Sequence, residues 1–181
     1  NRGLLSSADW TTFNGKQIAL GYTPLKLRTP LCTVVGAIPG ALPPVTGWVA
    51  ARDELSLGAW ILFAIVFLWQ LPHTLAIARL YRDDYARAGI RLLPVVDAEG
   101  ASTERQIVAS CAALLVAGPL PTLLGLAGAV YFMTACALGG VFVVLATRQA
   151  LAPAAAAARR VLFASLFYLP VLLTVLALDK Q

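Results

Sequence analysis

The sequence has 181 residues, of which 59% are hydrophobic and 13% are charged, with a mean hydropathy of +0.77 and a formal net charge of +5. Soluble domains carry about 25% charged and about 45–50% apolar residues, so this composition excludes an ordinary soluble domain and predicts a membrane protein. A net positive charge indicates nucleic-acid binding mainly in soluble proteins, so no nucleic-acid partner is expected for this membrane protein.

Five apolar stretches are long enough to cross a bilayer, which requires about 20 helical residues. None alternates as a barrel strand does, so the sequence predicts an all-α, polytopic transmembrane helix bundle. The predicted spans run from Pro30 to Ala50, Ser56 to Arg79, Gln106 to Leu126, Gly128 to Arg148 and Arg160 to Leu178.

The first predicted span is unusual because it is rich in proline and glycine. Its six such residues predict a kinked or broken helix. The irregularity serves either packing or the lining of a substrate cavity, since freed backbone groups in a membrane need new partners. These residues are Gly36, Pro39, Gly40, Pro43, Pro44 and Gly47.

The basic residues divide unequally between the two sides of the predicted bundle. Only Arg52 and Lys180 fall on one side, and the remaining Lys and Arg residues fall on the other. Because cytoplasmic loops carry the Lys/Arg excess, the N-terminal segment and residues 81–105 are expected in the cytoplasm. The expected location is the cell inner (cytoplasmic) membrane, as a multi-pass protein.

Residues 1–17 differ in character from the rest of the chain. The segment is polar, rich in turn-forming residues and too hydrophilic to span a bilayer. It is similar to a short stretch that recurs in phage tail-fibre-like proteins. The segment is therefore either an ordinary cytoplasmic loop or a fusion or assembly junction that ends near Gln17 and Ile18, and residues 18–181 form the membrane domain.

A first cluster of polar residues precedes the first span on the basic side. Lys26 and Arg28 are two cations at the membrane entrance, with Tyr22 shortly before them. They either anchor the chain to anionic lipid headgroups or bind an anionic substrate group such as a diphosphate.

A second cluster begins at the end of the second span. Gln70 and His73 are three residues apart and share one helical face. Ionisable groups inside membrane helices are functional candidates, although a structural role for His73 is the alternative.

Two adjacent carboxylates, Asp83 and Asp84, follow in the next loop. Tyr81, Tyr85 and Arg87 lie around them. Mg²⁺ is usually bound by one or two carboxylates together with phosphate oxygens, so this pair is a candidate metal site beside a diphosphate. The alternative is a solvated loop whose acids pair with its own arginines.

Taken in order, these strings resemble the protoheme IX farnesyltransferases (heme O synthases), a family of the UbiA prenyltransferase superfamily. The resemblance extends over residues 18–181. It resides in the strings at 22–30, 36–48, 69–73, 81–90 and 93–95.

The resemblance implies a bundle of nine transmembrane helices, of which the five spans here would be the last five. Residues 18–181 would then be the C-terminal part of a prenyltransferase membrane domain. The implied reaction transfers a farnesyl group from farnesyl diphosphate to protoheme IX, giving heme O and diphosphate in the route to heme A. Mg²⁺ is the implied cofactor, heme is a substrate, and proteins of the heme A pathway are implied partners besides the lipid bilayer.

The resemblance also implies roles for individual residues. Lys26 and Arg28 would hold the diphosphate, and Asp83 and Asp84 would bind Mg²⁺, with Asp84 as the main ligand. The implied catalytic set is therefore Lys26, Arg28 and Asp84. Gln70 and His73 would face the heme. Supporting substrate contacts would come from Tyr22, Tyr81, Tyr85 and Arg87.

The sequence departs from the family pattern in several places. Thr74 follows His73 where the family usually has an aromatic residue, Leu27 replaces a common basic residue, and Arg91 replaces a frequent proline. The superfamily's first aspartate-rich motif has no counterpart before Tyr22, so the polypeptide alone is predicted to be inactive. The alternatives are a related prenyltransferase acting on a quinone precursor or chlorophyllide, and a non-catalytic membrane subunit.

Overall fold

The computed structural model describes residues 32–97 and 99–179. Within these two ranges the regular secondary structure is entirely α-helical. The helices are α1 (Cys32–Arg52), α2 (Leu57–Leu80), α3 (Arg82–Arg87), α4 (Leu93–Val96), α5 (Ala101–Ala117), α6 (Leu120–Leu123), α7 (Ala129–Leu151) and α8 (Ala155–Leu178).

Five of the described segments are long and apolar enough to cross a membrane, with mean hydropathies between 1.4 and 2.4. The third span is α5 continued by α6, with Gly118 and Pro119 between them. The prediction of an all-α, multi-pass bundle is confirmed. The spans are Thr33–Arg52, Leu57–Leu80, Ala101–Leu123, Ala129–Leu151 and Ala155–Leu178.

The third span begins five residues earlier than hydropathy predicts, at Ala101. Asp97 caps this end, because its Oδ2 accepts hydrogen bonds from Thr103 N (2.7 Å) and Thr103 Oγ1 (2.9 Å). Burial raises the pKa of the Asp97 carboxyl, but these bonds and those from the Ser102 and Gly100 backbone hold it below its usual range. An ionised carboxylate at a helix N-terminus satisfies otherwise unpaired N–H groups, so the helix can start before its apolar run.

Helix α1 is continuous from Cys32 to Arg52, although Pro39, Pro43 and Pro44 lie inside it. Of the two forms predicted for this span, the described residues exclude a break. Each proline removes the N–H that would bond to the carbonyl four residues earlier. The prolines therefore leave carbonyl oxygens without their usual helical N–H donors within the membrane-spanning part of α1.

Helix α2 is the centre of the described bundle. It packs against α1, α5 and α8, while α7 packs against α5 and α8. The core between these helices includes Ile65, Leu114, Phe142 and Tyr168, all at most 1% exposed. Helices α1 and α8 both pack on α2 but do not form a packed pair with each other. We call the space between them the α1–α8 cleft, and the end of the bundle that carries residues 81–100 the loop side.

Close packing of α5 and α7 depends on Gly139. A Cβ atom there would lie 2.8 Å from Leu115 Cδ1 and 3.2 Å from Leu115 Cα, whereas a Cβ at Gly140 would meet nothing within 4 Å. We expect Gly139→Ala to lower the free energy of unfolding by about 1–3 kcal/mol, because the backbone of α5 must move. Reversible unfolding in mixed micelles measures this, and the matched Gly140→Ala variant should be at least as stable as the parent; equal stabilities of the two variants would contradict the prediction.

Candidate functional site

The predicted site residues divide into two groups. Tyr22, Lys26 and Arg28 lie outside the described residues, so the diphosphate-binding pair stays a prediction. The others lie on or beside two consecutive helices at the loop side: Gln70 and His73 on α2, Tyr81 directly after it, and Asp83, Asp84, Tyr85 and Arg87 on α3.

The loop between the second and third spans is folded over the loop side of the bundle. Helix α3 starts immediately after Tyr81, and α4 packs against α2, α3 and α5. Gly89 ends α3 with a φ of 71°, and Ile90 N bonds back to Tyr85 O at 3.0 Å. This is the left-handed helix ending that favours glycine, which explains a glycine in the string at 81–90.

The acidic pair is exposed on α3, one turn from its basic neighbour. Asp84 Oδ1 pairs with Arg87 Nη2, and the two side chains are 58% and 79% exposed. An exposed pair of this kind contributes only about 0–1 kcal/mol. Arg87 can therefore release the Asp84 carboxylate to a cation at little cost.

The donor set of α3 fits a partial magnesium site. Among residues 32–97 and 99–179, no three His, Cys, Asp or Glu side chains are grouped closely enough to hold a metal ion. Asp83 and Asp84 are hard oxygen donors on adjacent positions, and Mg²⁺ typically takes one or two carboxylates and completes its shell with water and phosphate oxygens. The pair thus suits a metal that arrives with a diphosphate.

Gln70 ties α2 to α1. Its Nε2 donates hydrogen bonds to Val66 O (3.2 Å) and, at greater length, to Ala37 O (3.4 Å). A Cβ on Gly40 would overlap the Gln70 amide, so a glycine at this position lets the side chain lie against α1. The amide donors of Gln70 are thus engaged within the fold.

His73 reaches in the other direction, toward α8. Its Nδ1 lies 2.8 Å from Ser165 Oγ, and its ring stacks on Trp69 with centroids 5.0 Å apart and an interplanar angle of 17°. Trp69 Nε1 donates to Ser165 O at 2.7 Å. Ser165 is fully buried, so both side chains of α2 are fixed by one residue of α8.

Gln70 and His73 therefore lie about one turn apart on α2 but bond to different neighbouring helices. Helices α1 and α8 both pack on α2 without forming a packed pair with each other, so Gln70 contacts one side of the α1–α8 cleft and His73 contacts the other. His73 is seven residues from the end of α2, about 10 Å along the helix axis from the loop side. The stretch of α2 between α1 and α8 thus carries two polar side chains, and His73 is the one nearer to the loop side.

A second feature of the loop side was not foreseen from the sequence. A cavity of about 260 Å³ lies between α1, α2, α4 and α5. Thr33 Oγ1 is buried there without a hydrogen-bond partner among the described residues. The cavity is mainly apolar and suits a hydrocarbon chain; its lining is Thr33, Val34, Leu71, Leu75, Leu93, Ser102 and Gln106.

A buried polar group joining three spans was also missed. Arg79 Nη1 lies 2.9 Å from Glu104 Oε1, and Gln149 Nε2 donates to Glu104 Oε2 at 2.8 Å. Glu104 and Gln149 are 4% and 0% exposed. The only available signal was polarity inside apolar stretches, which does not reveal the partner.

Together, the fold and this site define a polytopic α-helical membrane protein with polar chemistry at one end of an apolar bundle. The chain belongs to the UbiA prenyltransferase family, whose profile matches residues 10–169. That match begins within residues 1–17 and extends to within α8.

Curated relatives carry a more specific name. The chain is 49% identical to a protoheme IX farnesyltransferase of Koribacter versatilis over 89% of this chain and 54% of the relative. It is 49% identical to that of Solibacter usitatus over 88% and 54%, and 44% identical to that of Sorangium cellulosum over 87% and 56%. The chain spans about half the length of the curated relatives it matches. No solved structure matches the chain.

Proposed function

We propose that this chain forms part of a protoheme IX farnesyltransferase, which transfers the farnesyl group of farnesyl diphosphate to protoheme IX and releases diphosphate. The observation that carries the proposal is the 49% identity to relatives of that name across almost the whole chain. The site is chemically consistent with it, because the chain offers acidic, basic and apolar features that this reaction requires.

The acidic end of the site fits departure of the diphosphate. Negative charge develops on the leaving oxygen as the allylic C–O bond breaks, and preorganised cationic groups stabilise it. Asp84, with Asp83, would hold Mg²⁺, and Lys26 and Arg28 would contact the phosphate oxygens. The bound metal would supply additional charge neutralisation for the leaving group.

The membrane-facing parts fit the two apolar substrates. The stretch of α2 between α1 and α8 carries the stacked Trp69 and His73 rings, and a flat porphyrin would lie against them. The cavity lined by Leu71, Leu75 and Leu93 would take part of the farnesyl chain. An apolar enclosure also keeps stray water from a reactive allylic cation.

We further propose that the loop side faces the cytoplasm of an inner membrane. Most of the basic residues lie on this side, as the positive-inside tendency requires. A cytoplasmic site would have direct access to Mg²⁺ and to water-soluble diphosphate. Proteins of the heme A pathway would then receive the product within the membrane.

The test uses a full-length chimera. The part of the Koribacter versatilis relative that the alignment leaves uncovered is joined to this chain, and purified protein in nanodiscs receives protoheme IX, farnesyl diphosphate and Mg²⁺. We expect a farnesylated heme, detected by liquid chromatography and mass spectrometry. The intact relative is the positive control.

Other acceptors separate the alternatives. Prenylation only of an aromatic acid or of chlorophyllide, with protoheme IX unchanged, would assign the chain to another branch of the family. A correctly inserted chimera that transfers no prenyl group to any acceptor would favour a non-catalytic role.

A further inference from the structure

The hydrogen bonds around His73 fix which ring nitrogen carries the proton. Ser165 Oγ donates to Leu162 O at 2.6 Å, and a carbonyl oxygen can only accept. The single hydroxyl proton of Ser165 is therefore used. The 2.8 Å contact between Ser165 Oγ and His73 Nδ1 then requires a proton on Nδ1.

The neutral His73 ring consequently has an unprotonated Nε2. Among residues 32–97 and 99–179, no hydrogen-bond partner occupies this nitrogen. The ring cannot easily turn to exchange its nitrogens, since it stacks on Trp69 and Trp69 is bonded to Ser165 O. The clamp of Ser165 and Trp69 thus leaves one defined basic lone pair, on Nε2, on the stretch of α2 that lies between α1 and α8.

Prenyl transfer to a vinyl group needs a base at the end of the reaction. The C1–O bond of farnesyl diphosphate breaks and its electron pair leaves with the diphosphate. The π electron pair of the vinyl group forms the new C–C bond to farnesyl C1, which leaves a cation on the vinyl carbon attached to the porphyrin ring. Capture of that cation by water forms a C–O bond and requires loss of one proton from the captured water.

We propose that His73 Nε2 accepts this proton, and that Ser165 is a positioning residue that holds His73 in the Nδ1–H form. The proposal for the reaction rests on the proposed function, whereas the tautomer rests on the contacts of Ser165 alone. The imidazolium formed keeps its Nδ1–H bond to Ser165 and later loses the Nε2 proton to water. The step needs no oxidant, and its product carries a farnesyl group and a hydroxyl group.

The location of His73 supports water as the nucleophile. The residue lies about 10 Å from the loop-side end of α2, close to where water meets the bundle, and its side chain is only partly buried. A base at this position can bind a single water molecule next to the porphyrin edge.

The first test reads the tautomer directly. His73 is the single histidine in the chain, so ¹⁵N-histidine labelling of the chain in nanodiscs gives one pair of ring signals. Protonated and unprotonated ring nitrogens have well-separated ¹⁵N shifts. We expect protonated Nδ1 and unprotonated Nε2 in the parent, and a mixture of tautomers in Ser165→Ala; a parent with protonated Nε2 would overturn the inference.

The second test uses the full-length chimera with protoheme IX, farnesyl diphosphate and Mg²⁺. His73→Asn keeps an amide donor near the Nδ1 position but removes the base. We expect kcat to fall by about 10²-fold or more, with KM for farnesyl diphosphate unchanged and a larger fraction of dehydrated product. Ser165→Ala should lower kcat by roughly 10-fold, as for other outer partners that orient functional histidines, and Ser165→Thr should restore it.

These outcomes distinguish the base role of His73 from the proposed function on which it rests. An unchanged rate and product ratio in His73→Asn would overturn the base role. If the parent chimera makes no farnesylated heme, the proposed function fails and the base role fails with it. The tautomer measurement is independent of both results and still tests the clamp.

Discussion

In the full-length chimera, Asp84→Asn is expected to reduce prenyl transfer by at least about 10²-fold, the scale on which removal of one charge-stabilising group acts. The substitution keeps the size of the side chain and removes the negative charge that would hold Mg²⁺. Because Asp84 is 58% exposed and, among residues 32–97 and 99–179, pairs with Arg87 alone, the described fold has little dependence on it. The loss should therefore appear in the reaction and leave membrane insertion normal.

A magnesium titration separates a metal ligand from a general surface effect. A weakened site requires more Mg²⁺ for half-maximal rate, so the Asp84→Asn variant should recover part of its activity at high Mg²⁺. Asp83→Asn should have a smaller effect of the same kind, since Asp84 is the predicted main ligand. Unchanged prenyl transfer in Asp84→Asn would contradict the metal role.

Asp53 provides a matched control for this substitution. It is exposed at the opposite end of the bundle, in the turn between α1 and α2. Its φ is 54°, a conformation that asparagine adopts readily. Asp53→Asn thus makes the same chemical change without strain, and its activity should equal that of the parent.

The spans could be predicted from sequence because hydropathy is a local property. A long apolar helix must cross the bilayer wherever its neighbours lie, so the order and number of spans followed from composition alone. The ends were less predictable. The start of α5 is stabilised by the Asp97 side chain, which accepts a hydrogen bond from Thr103 N six residues later. Hydropathy does not detect such a hydrogen bond.

The site was predictable only in its local parts. Asp84 and Arg87 pair at a spacing of three on one short helix. This pairing is the alternative predicted from the sequence, in which the acids of the loop pair with its own arginines. The partner of His73 is 92 residues away on α8, and no local pattern indicates which helix packs against α2. Ser165 looked like an isolated small polar residue in an apolar span, since its role depends on tertiary contact.

The buried ion pair between α2 and α5 was unpredictable for the same reason, and it carries the largest expected effect on stability. Arg79 and Glu104 belong to different spans, and their side chains are 23% and 6% exposed. Gln149 of α7 bonds to the second oxygen of the Glu104 carboxylate. One carboxylate thus connects three helices at the loop side.

Glu104→Ala is expected to lower the free energy of unfolding by about 3 kcal/mol, because it leaves the Arg79 charge and the Gln149 amide without their partner. The value lies at the low end for a broken buried pair, since Arg79 can extend its guanidinium toward the membrane surface. Reversible unfolding in mixed micelles measures it. Glu99→Ala, at an exposed acid before α5, should change stability by no more than about 0.5 kcal/mol.

Removing both charges tests whether the loss comes from the unpaired arginine. Replacing a buried ion pair by apolar residues of similar volume is often neutral or stabilising, so the Arg79→Leu/Glu104→Leu double variant should be clearly more stable than Glu104→Ala. A double-mutant cycle with each single leucine variant then gives the coupling between the two side chains. Additive effects of the two substitutions would show that the pair is not coupled and that Glu104 stabilises the bundle through Gln149 alone.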